Sequence, residues 1–349
     1  MIESITTGPK GRASNFELLR LLAMFFVLVV HADFAALDVP KSAELHASPL
    51  GGAMRVAFES LAIVSVNIFI LISGWFGIRA SVKGFLKLLF QVAFTSFVVY
   101  LCFVAFGNAP FTGEEVIRNL VSVWAHEQWF VMSYMVLFVL APVLNAYVEK
   151  SDARSLGGLI LAFYALQTLA TMAYESLQFD RGYSAVSFVG LYLVARWIRL
   201  YGHKLLSLPV GLLCVLLPAA ISGLSIYFII WNAIPNVVWK FLNYANPLVV
   251  VESVGYMILF ARMKPFVNRV VNVLSSGCFA VYLLNMNPWI YIHFKQHVQE
   301  LYSYYSGLYC IFMIGAFLLV FFLVSCVLDL LLRQPMWRAV SGAVTRSKQ

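Results

Sequence analysis

Ten runs of apolar residues alternate with short polar segments along this chain, and each is close to the length of one bilayer crossing. They cover 16–34, 56–76, 86–106, 128–147, 155–173, 183–200, 206–230, 245–262, 272–293 and 306–331. A helix rising about 1.5 Å per residue needs roughly 20 apolar residues to cross a hydrocarbon core of about 30 Å. The pattern therefore predicts an all-α integral membrane protein of about ten transmembrane helices. Arg196 and Arg199 shorten the sixth run, and Pro218 with Gly223 predicts a kink in the seventh. Lys10 and Arg12 precede the first run, but no small-x-small cleavage site appears before His31, so the run reads as a helix and not as a cleaved signal.

The basic residues predict the orientation. With the N-terminus in the cytoplasm, the inner segments receive 18 of the 24 Lys and Arg residues and the outer segments receive 6. That bias is the positive-inside pattern, and it places both termini in the cytoplasm. The longest outer loop, about 35–55, is polar and carries Pro40, Pro49 and Gly51-Gly52. No loop is long enough for a soluble domain. The expectation is one polytopic domain over 1–349, with short tails at 1–15 and 332–349.

Composition agrees with this reading. The chain is 62% hydrophobic and 11% charged, whereas a soluble domain carries about 25% charged residues. A formal charge of +8 suits basic cytoplasmic loops. No basic run with interleaved aromatics lies outside the apolar segments, so no nucleic-acid partner is expected. The five cysteines all lie in apolar stretches without a CxxC pair and read as small buried side chains, so neither a disulfide framework nor a metal site is expected. No P-loop or dinucleotide fingerprint is present.

Two ionisable residues bracket the first run, in "RLLAMFFVLVVH" (20–31). Arg20 and His31 are eleven positions apart, which at about 100° per residue returns to within about 20° of the same helix face. They stand about 16 Å apart along the axis, with Arg20 near the cytoplasmic surface and His31 in the outer half. Glu17 lies close to the same face. Arg20 reads as a snorkelling anchor or an anion contact, and His31 as an interfacial residue or a general base near neutral pH.

"NFELLRLLAMFFVLVVH" resembles the first helix of the acyltransferase-3 family, membrane-bound bacterial acyltransferases of which many O-acetylate polysaccharides. Four further stretches are similar to that family in the same order: "VNIFILISGWF" (66–76), "QWFVMSYMVLFVLAPVLN" (128–145), "FLNYANPLVVVES" (241–253) and "FAVYLLNMNPWIY" (279–291). Asn285 stands where the family usually has a histidine. The family's arginine pair after the second helix is represented by Arg79, Lys83 and Lys87. Lysine offers a point charge in place of arginine's bidentate fork.

The resemblance implies transfer of an acyl group, most commonly acetyl, from acyl-CoA to a hydroxyl of a glycan or other cell-envelope acceptor, at the bacterial cytoplasmic membrane among its lipids. His31 is then the candidate general base or acyl carrier. Glu127 and Glu252 are candidates to orient its ring. Arg20, Arg79, Lys83 and Lys87 are candidates for the phosphates of coenzyme A. Asn67, Ser73, Gly74, Trp129, Tyr282 and Asn285 complete the expected site. Gly74 permits close approach of another helix or of a ligand, and Tyr282 offers a hydrogen-bond donor. The alternative reading is a transporter or flippase of a lipid-linked sugar, which ten helices with interior polar residues also suit.

Overall fold

A computed structural model describes residues 12–124, 128–173, 179–234 and 237–346. Among these residues there is helix and no strand. In chain order the helices are α1 (Ser14–Ala32), α2 (Ser42–Ala47), α3 (Pro49–Ala62), α4 (Ser65–Phe76), α5 (Val82–Ala105), α6 (Gly113–Leu120), α7 (Trp129–Lys150), α8 (Ala153–Ala173), α9 (Ala185–Tyr201), α10 (Leu208–Trp231), α11 (Val238–Phe241), α12 (Pro247–Ala261), α13 (Arg269–Gly277), α14 (Phe279–Asn285), α15 (Pro288–Tyr304) and α16 (Gly307–Leu328). A π-helical turn at Asp329–Arg333 leads into α17 (Gln334–Arg346).

Helix occupies all ten apolar runs, but the described helices long and apolar enough to cross a membrane number seven, or eight if one bent pair counts as a single span. Over the sixth and eighth runs the helices are shorter, with α9 at 17 residues and α12 at 15. The ninth run departs most from expectation, since it is not one helix. The stretches Arg269–Asn285 and Pro288–Tyr304 meet at 86°. The cause is local: the Asn287 side chain accepts the Trp289 N–H at 3.1 Å, and Pro288 sits in the first turn, where its missing N–H costs nothing. Asn246 and Pro247 start α12 in the same way, with Asn246 Oδ1 accepting the Leu248 N–H at 2.8 Å.

The structure adds local detail in three further places. The polar loop at 35–55 is partly helical, because Pro49 opens α3 and the chain runs as helix through Gly51 and Gly52. Within the expected tail at 332–349, the described residues form the end of the π turn and α17. α10 carries Pro218 and Gly223 inside one helix of 24 residues. All five cysteines are free thiols.

The chain forms two compact units. Unit 1 takes Met1–Arg79 and Ser133–Arg269, and unit 2 takes Ala80–Met132 and Val270–Gln349. In unit 1 the most enclosed helix is α4, which buries Ile68, Ile70, Leu71 and Ile72 and is packed by α1, α9 and α12. Gly74 explains part of that closeness: a Cβ there would stand 2.6 Å from the Tyr192 carbonyl and 2.8 Å from Ala195 Cβ of α9. Helices in lipid gain from such small-residue contacts, because tails are as apolar as leucine and only close packing distinguishes protein from lipid. α1 buries Phe16, Leu19, Ala23, Met24, Val27 and Leu28 at helical spacing. Its first turn has no side-chain cap of its own. Instead Ser14 N–H donates to the Phe266 carbonyl at 2.9 Å, and Asn15 Nδ2 donates to the Phe260 carbonyl at 2.9 Å.

In unit 2, α14 packs on α5 and α16. A buried ion pair sits at its π turn: Arg333 Nε donates to Asp329 Oδ1 at 2.8 Å, and Gln91 and Gln334 also donate to that carboxylate. Both side chains of the pair are almost fully enclosed.

Candidate active site

The two ends of α1 carry different chemistry. At the Arg20 end, Arg20 Nη1 donates to Glu17 Oε2 at 2.5 Å, and Arg12 Nε stands 3.1 Å from Glu17 Oε1. One carboxylate, 8% exposed, thus balances two guanidinium groups. One position before Glu17, Phe16 packs against Trp75 and Phe76 with ring centroids 5.3 and 4.9 Å away. Arg199 of α9 lies over those same two rings at 5.2 and 5.9 Å. The apolar ring cluster therefore draws an arginine from another helix to this end of α1.

At the other end, His31 is half-buried in the last turn of α1. Two residues on, Asp33 Oδ1 accepts from Arg55 Nε at 2.6 Å. Arg55 Nη2 donates to the Asp38 carbonyl at 2.6 Å, Glu44 stands 3.8 Å from Nη1, and the guanidinium lies 5.8 Å from the Phe34 ring centroid. One turn further along α3, Glu59 is 2% exposed, and its Oε2 has no hydrogen-bond partner among the described residues. Arg55 and Glu59 are four apart, hence on one face of α3, and α1 packs on that helix. The segment that follows His31 is thus fixed by charge rather than by apolar packing alone.

The remaining expected residues divide between the units. In unit 1, Asn67 is fully buried and donates to the Tyr244 carbonyl at 3.0 Å. Ser73 bonds back to the Phe69 carbonyl at 2.9 Å and stands 3.4 Å from the Tyr134 hydroxyl. Gly74 meets α9, as described. Glu252 of α12 is 1% exposed, and neither carboxylate oxygen has a hydrogen-bond partner among the described residues. It lies one turn before Tyr256, whose ring meets Phe26 of α1 at 5.6 Å. Arg79 is exposed just beyond α4.

In unit 2, Lys83 and Lys87 are exposed on the first turns of α5. Trp129 stands edge-on to Phe130 at 6.0 Å, and Tyr282 is buried between Phe130 and Phe279 at 5.7 and 5.8 Å. Asn285 is fully buried at the end of α14. Glu127 lies outside the described residues.

The structure adds residues that the sequence reading passed over. The sequence alone does not single out Asp33, Arg55 and Glu59, although the Arg55 and Glu59 spacing on an otherwise apolar run is a signal. Arg196 and Arg199 counted only as the end of a span, although their spacing of three also puts two cations on one helix face.

A multi-pass helical membrane protein with ionisable groups set into its first helix is the class that this fold and site define. Residues 14–328 match the profile of the family described as an acyltransferase domain, acyltransferase-3. The match covers nearly the whole chain. The protein belongs to that family, and membership makes it a membrane acyltransferase. No curated protein and no solved structure matches the chain.

Proposed function

We propose that the protein moves an acyl group, acetyl in the first instance, from an acyl-CoA on the cytoplasmic side to a hydroxyl of a glycan or other cell-envelope acceptor. The membrane is the bacterial cytoplasmic membrane, with both termini inside. The observation that carries this reading is that Arg20 and His31 share one face of α1, eleven positions apart, in a chain of the acyltransferase-3 family. Eleven residues of helix separate the two positions by about 16 Å, so Arg20 can hold the donor from one side while His31 meets the acceptor nearer the other.

The chemistry needs a base, an electrophile held near it and a leaving group that can accept a proton. His31 removes the acceptor's hydroxyl proton as that oxygen bonds to the thioester carbon. The carbon–sulfur bond then breaks, and the proton on the imidazole passes to the departing thiolate. Proton count is balanced: one hydroxyl proton is lost and one thiol proton is gained. In the second form of the same reading the His31 ring attacks the thioester carbon and the carbon–sulfur bond breaks to release the thiolate; the acceptor oxygen then takes the acyl group as the carbon–nitrogen bond breaks, and its proton ends on the thiolate. Arg20 and Arg79 attract the phosphates of the donor.

The test is full-length protein in lipid nanodiscs, given acetyl-CoA with and without deacylated cell-envelope glycan. Release of the coenzyme A thiol that rises with glycan, together with ester on the glycan, is the expected result. Absence of thiol release under all acyl donors, with intact folded protein, rules out the proposal. Rapid quenching separates its two forms, because only the carrier form leaves acyl label on the protein.

A further inference from the structure

Arg196 and Arg199 are two half-buried cations of α9 for which no carboxylate partner exists among the described residues. They are close enough for the charge of one to act on the other. Arg196 Nε is buried without a hydrogen-bond partner among the described residues. Taking two like charges partly out of water and leaving them unpaired is costly, so such an arrangement persists where something else supplies the negative charge. Arg12 and Arg20 do not share the condition, since they divide Glu17 between them.

The surroundings are built to hold this pair in place. Tyr192, Arg196 and Arg199 fall on one face of α9, at steps of four and three. Tyr192 Oη accepts from Ile78 N–H at 3.0 Å and donates to Asn145 Oδ1 at 2.6 Å, while Asn145 Nδ2 donates to the Ile78 carbonyl at 3.0 Å. Both backbone groups of Ile78 are thereby fixed, and with them the turn that follows α4. Gly77 in that turn has φ +74° and faces Arg196, with a Cβ there standing 3.2 Å from Nη1. Trp75 and Phe76 supply the ring faces beneath Arg199, and Phe76 as a residue is 49% exposed. The place thus offers two guanidinium forks, each suited to phosphate oxygens, beside an open aromatic ring.

We propose that Arg196 and Arg199 bind the phosphates of a nucleotide, the phosphorylated adenosine end of the acyl-CoA donor, with the Phe76 ring open to its purine. This rests on the reading that the donor is an acyl-CoA. It moves the main phosphate contact to α9, away from the lysines of α5.

The experiment is equilibrium binding of coenzyme A, without turnover, to the full chain in nanodiscs. Adenosine 3′,5′-bisphosphate and 4′-phosphopantetheine serve as part-probes, and turnover of acetyl-CoA is followed in parallel. Arg196→Gln and Arg199→Gln are each expected to weaken coenzyme A and the bisphosphate by roughly 10- to 150-fold, the range for one lost charge-assisted contact. Arg199→Lys, which keeps the charge and guards against a folding artefact, is expected to fall between. Phe76→Ala is expected to weaken the two adenosine-bearing probes and leave 4′-phosphopantetheine unchanged. Unaltered coenzyme A affinity in both Gln variants overturns the proposal and leaves the acyltransferase reading standing. Wild-type protein that neither binds coenzyme A nor turns over acetyl-CoA overturns both. Anionic phospholipid lost from the Gln variants, with coenzyme A affinity unchanged, assigns the pair to lipid headgroups and overturns the proposal as well.

Discussion

Arg55 Nε stands 2.6 Å from Asp33 Oδ1, so a side chain of α3 grips the chain two residues beyond His31. Only 12% of either side chain is exposed. The same guanidinium also holds the Asp38 carbonyl, at a residue whose φ of +61° is unusual for anything but glycine. The turn that ends α1 is thus set by one cation with several acceptors, and His31 takes its position from that turn.

Arg55→Ala should therefore leave Asp33 without its cation in an enclosed place. Breaking a buried pair from one side costs about 3–5 kcal/mol, mostly through the charge left behind. Unfolding in detergent, followed by circular dichroism, should show a loss of that order. The milder Arg55→Lys keeps a charge but lacks the planar fork whose separate nitrogens reach the two acceptors. In that variant kcat should fall with little change in donor KM, since the donor contacts are assigned elsewhere. An unchanged kcat in a folded Arg55→Lys protein would show that the clamp does not position His31.

For His31 itself, replacement by alanine should slow the chemical step by about 10²- to 10⁴-fold, the usual yield of a positioned base. The protein should still insert, because the helix buries its apolar stripe without that ring. Single-turnover rates on folded protein are the measurement. Recovery with added imidazole supports the base role, and wild-type rates in the variant exclude it.

Much of this was legible in the chain, and the reasons differ by residue. The helices follow from apolar runs that leave a backbone in lipid no other way to satisfy its N–H and C=O groups. Arg20 and His31 follow from their register on one such run. The break at Asn287-Pro288 was also written in the sequence as a cap and a first-turn proline, but continuous hydropathy across 272–293 outweighed it. The grip of Arg55 on Asp33 joins positions 22 apart, and that of Asn67 on the Tyr244 carbonyl joins positions 177 apart. A single sequence carries no trace of such pairings. Arg199 is the plainest case: composition makes it the end of a span, and only packing against Trp75 and Phe76 shows what it faces.

Unit 2 offers a stability test independent of catalysis. Asp329 and Arg333 are buried together at the π turn, with Gln91 and Gln334 also on the carboxylate. Asp329→Leu should destabilise by about 3–5 kcal/mol, since Arg333 is then buried unpaired. The double variant Asp329→Leu with Arg333→Met should recover most of that loss, because apolar groups of similar volume need no partner. A double variant no more stable than the single one would mean that the pair contributes more than mutual neutralisation. The measurement is denaturation of the purified protein in a fixed detergent.

The last prediction concerns the sharing of Glu17. Arg20 and Arg12 both reach this carboxylate, which is 8% exposed, while Arg20 keeps a quarter of its side chain open. If Arg20 serves the donor phosphates, it does so with part of its charge already balanced. Arg20→Ala should then raise donor KM by about tenfold, the lower part of the range for a charge-assisted hydrogen bond at a partly solvated site. Acceptor KM should stay the same, because a contact made equally before and during reaction appears as donor affinity. Glu17→Gln has the opposite sign. It removes the competing carboxylate, leaves two guanidinium groups uncompensated, and should lower donor KM with a steeper dependence on salt. Steady-state kinetics over a range of ionic strength measures both. A rise in donor KM for both variants would mean that Glu17 orients Arg20 instead of competing for it. No change in either would make the trio of Arg12, Glu17 and Arg20 a device for holding the first turn of α1.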